Sequence, residues 1–134
     1  DAAGLPLNIT VSGANRHDGL FVEPILDSMP AIKRIGRGHP RRRPIKLHAD
    51  KGYDNPRVRR YLRRRGLTAR IPRIGRDSSQ RLGRHRWMVE RTLGWLLSYR
   101  RLALRYDRTA TTINALARLA AALICYRRHH SLLK

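Results

Sequence analysis

Acidic residues are scarce in this chain. Nine aspartates and glutamates face thirty lysines and arginines, for a formal net charge of +21 over 134 residues. Self-repulsion of that size is tolerated mainly when a polyanion is the partner, which points to nucleic acid. Only four of the cations are lysines. The remainder are arginines, whose planar fork suits bidentate phosphate contacts. A GC-rich coding bias accounts for arginine over lysine but not for the shortage of acids. Cysteine is almost missing as well. Cys125 stands alone, which excludes an internal disulfide and a cysteine zinc site. Among Ala122, Leu123 and Ile124 it reads as a small core residue, and a reducing cytoplasm is the expected location. The histidines, His17, His39, His48, His85, His129 and His130, show no metal-ligand spacing with it. No apolar run reaches the ~20 residues of a membrane span, since the richest, Ala115 to Tyr126, is broken by Arg118. The start, Asp1-Ala2-Ala3, lacks the basic head and apolar core of a secretory signal. It also lacks Met, so a fragment is expected. With 41% hydrophobic residues there is still enough for a core, and the length fits one domain or part of one.

The patterning alternates strands and helices. Leu5 to Ser12 is alternating and β-branched, which predicts a strand. Asp18 is the expected N-cap of a helix running to about Ser28, with Phe21, Val22, Ile25 and Leu26 on one face. Lys33 to Pro44 is a basic loop rich in Gly and Pro, and its Arg41-Arg42-Arg43 run is either solvated or in contact with phosphate. Ile45 to Ala49 predicts a buried strand ending at Asp50. Asn55-Pro56 is a strong helix start and Gly66 an equally good stop. Between them Val58, Tyr61, Leu62 and Arg65 face the protein. Leu67 to Ile74 predicts a further strand, followed by a polar loop over Gly75 to Ser79. Two helices close the chain, from about Arg81 to Tyr99 and from about Thr111 to Arg128. The order implies an α/β fold with parallel crossovers and C-terminal helices.

Against so few acids, two that recur in distinctive surroundings stand out. Asp50 lies in Lys46-Leu47-His48-Ala49-Asp50-Lys51-Gly52-Tyr53-Asp54, where the chain leaves a strand. Carboxyl ends of strands are where open α/β sheets bind ligands, so a metal-binding role fits there. An ordinary turn aspartate is the alternative. Glu90 lies in Arg86-Trp87-Met88-Val89-Glu90-Arg91-Thr92-Leu93-Gly94-Trp95-Leu96. The alternative for Glu90 is a surface ion pair with Arg86 four residues earlier. Trp87, Val89 and Leu93 around it predict a helix face that is not wholly exposed. Trp87 and Trp95 themselves are expected in the core rather than stacked on bases. His48 is expected in the core or behind Asp50, and Asp54 is a weaker candidate ligand.

These two runs resemble the DDE-type transposases of bacterial insertion sequences, in particular insertion sequence family five. The resemblance covers essentially the whole chain. There H-A-D-K-G-Y-D carries the second catalytic aspartate, and R-x-x-x-E-R-x-x-x-W-L carries the catalytic glutamate. The related pattern of tyrosine, arginine, glutamate and lysine finds Gly83 and Leu97 at its tyrosine and lysine positions. Several expectations follow from the resemblance. The fold is RNase H-like, and residues 1–134 are the C-terminal portion of the catalytic domain. The central strand with the first catalytic aspartate lies upstream of Asp1. Leu5–Ser12 would be the third strand of the sheet and Ile45–Ala49 the fourth, with an unpaired edge. Asp50 and Glu90 would be two of three ligands to Mg²⁺ or Mn²⁺, for DNA cleavage and strand transfer at insertion-sequence ends without a covalent enzyme intermediate. Double-stranded DNA would be held by Lys51, Arg57, Arg60, Arg64, Arg86, Arg91, Arg100 and Arg101. Further partners would be an upstream-frame polypeptide carrying the missing aspartate and other copies of the chain. Alone, the chain would be inactive. The alternative is a basic nucleic-acid-binding protein or an inactive transposase remnant.

Overall fold

A computed structural model describes residues 1–33, 36, 38–76, 83–104 and 106–132, with the backbone alone for residues 83–86 and 132. The chain forms two compact units. One runs from Arg16 to Arg84; the other combines Asp1–Asn15 with His85–Lys134.

In the Arg16–Arg84 unit, a single 3₁₀ turn (Asp18–Phe21) leads into helix α1 (Val22–Asp27). The cap is His17 rather than the expected Asp18: its Nδ1 accepts the Gly19 N–H at 3.0 Å. A histidine nitrogen placed before the turn does there what a carboxylate was expected to do. Strand β1 (Lys46–His48) follows, then a 3₁₀ turn (Lys51–Tyr53), helix α2 (Pro56–Arg64) and strand β2 (Thr68–Arg70). The two strands pair in parallel, with Leu47 opposite Ala69. The predicted crossover is therefore present. Both strands are shorter than expected, however, and β1 is not buried: Ile45 is 61% exposed and Lys46 and His48 are exposed. Only the Leu47 face meets packing partners, because α1 and α2 cover one side of this two-stranded sheet. The exposure of His48 also removes it from the core.

Helix α2 follows its sequence signals closely. The Asn55 side chain accepts the Arg57 N–H at 2.8 Å, and Pro56 occupies the first position, where a missing N–H costs nothing. Gly66 ends the helix at φ +66°, and Leu67 N–H returns to the Leu62 carbonyl. Arg43 fills the space a Cβ on Gly66 would need and donates to the Arg65 carbonyl at 2.6 Å. One arginine of the basic loop thus serves a helix end. Val58, Tyr61 and Leu62 are buried as expected, against Leu26, Leu67 and Ile71. Arg65 pairs with Asp27, whose carboxylate also accepts the Tyr61 hydroxyl at 2.6 Å.

The other unit is helical. Helix α3 (Gly83–Leu97), a short α4 (Arg100–Ala103) and α5 (Ala110–Leu132) carry Leu96, Ala120, Ala121 and Ile124 in a small core, with Ile9, Trp95, Tyr99 and Leu102 packed on it. The expected strand at Leu5–Ser12 is not formed. That segment instead lies along α5, where the Asn114 side chain takes the place of a neighbouring strand. Its Oδ1 accepts the Val11 N–H at 2.7 Å and its Nδ2 donates to the Val11 carbonyl at 3.0 Å. Extended, alternating sequence makes a strand only when another backbone pairs with it. Among the described residues a side-chain amide does so at one position. Cys125 is half-buried, and its thiol points to the Pro6 carbonyl at 3.5 Å.

Candidate active site and nucleic-acid interface

Asp50 sits two residues past β1, at the carboxyl end of the strand, as the sequence predicts. It caps the 3₁₀ turn: one carboxylate oxygen accepts the Gly52 N–H at 2.9 Å. That bond is a turn-aspartate bond and fixes the orientation of an exposed carboxylate. The Tyr53 phenol beside it is pushed above its ordinary pKa, first by burial and then by the charges of Asp18 and Asp50.

Asp54 is arranged differently. Its two oxygens are taken by Arg59 Nε at 2.5 Å and the Ile74 N–H at 2.7 Å. The Ile74 N–H, and after it Arg59, holds the carboxyl below its usual range. Arg59 also donates to the Ile71 carbonyl at 2.9 Å. Asp54 therefore latches the exit of β2 to α2, with a hydrogen bond on each of its oxygens. This latch escaped the sequence reading, since nothing in the spacing of Asp54 and Ile74 announces it.

Glu90 lies on α3 in the other unit, and its side chain is exposed. The apolar residues around it do not bury that face. Trp87 is 50% exposed, and Val89 and Leu93 are exposed as well. Trp87 is thus not in the core. Its ring stacks on Arg91, whose guanidinium carbon is 4.4 Å from the Trp87 centroid and 4.9 Å from that of Trp95. Arg128 covers Trp95 at 4.2 Å. Arg91 further donates to the Ala3 carbonyl at 2.6 Å, and Thr92 donates to the Gly4 carbonyl at 2.6 Å. Gly4 is buried at φ +78°, and a Cβ there would meet Arg91 Nη2 at 3.1 Å. Among the described residues no three metal-ligating side chains gather in one place.

The candidate DNA-binding cations divide by what already occupies them. Arg57 pairs with Glu23 at 2.8 Å, Arg101 with Asp107 at 3.5 Å, and Arg91 is held as above. Arg64 lies 5.9 Å from the Tyr61 ring centroid yet is exposed. Arg60 and Arg100 are exposed, and Lys51 is partly buried in its turn. The side chain of Arg86 lies outside the described residues, as do the side chain of His85 and the end of the Gly75–Ser79 loop. Arg63, which is not among those candidates, is exposed and lies one helical turn from Arg60 on α2.

A family model described as a transposase DDE domain matches residues 47–127, from within β1 to within α5, and so includes Asp50 and Glu90. The chain is also 42% identical over 126 residues to the transposase assigned to insertion sequence element IS402 of Burkholderia cepacia. The match covers 94% of this chain and 59% of that relative, so the chain spans little more than half of the relative's length. No solved structure matches. No described helix is long and apolar enough to cross a membrane. With a family model covering more than half of the chain and a relative matched almost end to end, the chain belongs to the DDE transposases of insertion sequences.

Proposed function

We propose that this chain is the C-terminal part of an RNase H-like catalytic domain that cuts and joins DNA at insertion-sequence ends. In this reading it acts in the cytoplasm, on double-stranded DNA. The observation that carries the reading is Asp50: an oriented, exposed carboxylate at the carboxyl end of a strand in a parallel strand–helix–strand unit. That position is where open α/β sheets place ligand-binding groups. The net charge of +21 supplies the attraction for a polyanionic substrate.

Asp50 and Glu90 carry hard oxygen donors, the type that Mg²⁺ or Mn²⁺ takes. In this reading each supplies an oxygen donor for the ion, with further ligands from outside the described residues. Once bound, such an ion activates a water or 3′-hydroxyl and stabilises the leaving oxygen of an in-line displacement. The chain's own contribution is to orient Asp50 through the Gly52 N–H and to seat Glu90 on a helix fastened by Arg91. Further copies of the chain, and a polypeptide from an upstream frame carrying the remaining aspartate, complete the proposed assembly. In this reading the chain alone does not cleave.

Calorimetric titration with Mn²⁺ tests the ligand assignment. Weak binding should be lost in both Asp50→Asn and Glu90→Gln. Unchanged binding in both variants would overturn it. The net charge of +21, which binding alone would account for, favours a second reading, a DNA-binding remnant without chemistry. Nicking of labelled end DNA in Mg²⁺ by the chain mixed with its upstream partner separates the two.

A further inference from the structure

Resting on the DNA reading above, we infer that the outer face of α2 carries a phosphodiester-binding cleft whose working groups are Arg60 and Arg63. An open cleft of about 520 Å³ is lined by Asp54, Pro56, Arg59, Arg60, Arg63 and Ile74. Its charge is not balanced. Among the described residues the only acid in the lining is Asp54, and each of its oxygens is already engaged, by Arg59 and by the Ile74 N–H. Arg59 is consumed in turn, by Asp54 and the Ile71 carbonyl. What is left over is Arg60 and Arg63. Both are exposed, and neither side chain has a hydrogen-bond or ion-pair partner among the described residues.

Residues three apart on a helix hold their Cβ atoms about 5–6 Å apart, close enough for two guanidinium groups to grip one phosphate or two successive ones. Two unneutralised cations that close repel each other, and an anion between them relieves the repulsion. The guanidinium fork matches the phosphodiester oxygens. Ile74 is 67% exposed, and with Pro56 it gives the cleft an apolar side. A sugar ring next to the phosphate would cover that side. The ligand class is therefore the backbone of DNA rather than base edges, and the site discriminates little between sequences. The latch has a defined part. It removes Arg59 from competition and fixes the wall carrying Ile74, so that the cleft is shaped before DNA arrives.

The test is fluorescence anisotropy with a labelled duplex oligonucleotide across about 50 to 200 mM salt. Each neutralised phosphate contributes about 0.9 to the slope of log K against log salt. Arg60→Gln/Arg63→Gln should lower that slope by about 0.9 for one phosphate or about 1.8 for two, so over that range its affinity should fall roughly three- to tenfold less than that of wild type. Arg108→Gln/Arg118→Gln removes the same charge from the other unit and should leave the slope within about 0.5 of wild type. Circular dichroism confirms that both variants are folded. Equal losses in the two double variants would mean that only total charge matters, and would overturn the cleft while sparing the DNA reading. A wild-type slope near zero would overturn both.

Discussion

The two units of this chain bury different things. In Arg16–Arg84 the interior is built from large side chains, Leu26, Val58, Tyr61, Leu62, Leu67 and Ile71, with Leu62 wholly inaccessible. Ion pairs from Arg57, Arg59 and Arg65 stitch its surface. In the other unit the buried residues of α5 are Ala117, Ala120, Ala121 and Ile124, while Trp87, Leu93, Leu97, Leu119 and Tyr126 stand outside. Three of those four are alanines, so this interior is built from smaller side chains, with Leu96 and Ile124 its large buried residues. Burial of apolar area stabilises by roughly 25 cal/mol per Å². The first unit therefore draws its stability from its core, whereas the second relies more on polar fastenings such as Asn114 and Arg91.

The largest expected effect breaks the first unit. Leu62→Ala removes a side chain with no exposure and should cost about 2–5 kcal/mol in urea denaturation, because the cavity cannot fully collapse. Next comes the fastening of the second unit. Asn114→Ala strands the Val11 N–H and carbonyl and should cost about 1–3 kcal/mol. Protection of the Val11 amide in hydrogen exchange should fall with it. An Asn114→Ala protein as stable as wild type would mean that the segment is held by packing alone. Asn55→Ala sharpens the contrast at a smaller scale, with a loss of about 1 kcal/mol from α2. The smallest change should come from Leu93→Gln, on the exposed side of α3, at within about 0.5 kcal/mol of wild type.

Titration reports on the first unit. The Tyr61 phenol is raised to about 12, chiefly by burial and then by its bond to Asp27. The neutral form is thus the one the fold prefers. Its contribution is fully present below the ordinary tyrosine value near 10 and is lost as pH rises from there through about 12. Ultraviolet titration at about 295 nm, the usual phenolate wavelength, should find Tyr53 titrating late as well as Tyr61, and Tyr61→Phe should remove the step near 12 while leaving that of Tyr53.

How much was legible in the sequence follows the same division. The α2 region was read almost residue by residue, because Asn55, Pro56 and Gly66 are local signals and the apolar spacing between them is helical. The Leu5–Ser12 strand was misread because its pattern is local but its partner is not. Pairing depends on a backbone elsewhere, and here Asn114, a hundred residues away, supplies an amide instead. The motif acids were found by rarity and resemblance. The Asp54 latch was not, since its partners are a backbone N–H and an arginine in a chain full of arginines. The Arg60–Arg63 pair was half found, for the spacing was visible and the neutralisation of its neighbours was not.

The stacked arginine of α3 has an optical consequence. The chain has two tryptophans, and both lie against Arg91. All of its indole emission therefore originates on one helix, next to Glu90, in the unit with the small interior. The Arg16–Arg84 unit holds tyrosines but no indole. A single indole emission spectrum thus follows one half of the molecule, whereas a tyrosine signal mixes Tyr53 and Tyr61 of the Arg16–Arg84 unit with Tyr99, Tyr106 and Tyr126 of the other. Unmodified protein thus carries its own gauge of the helical unit, without a label attached to it.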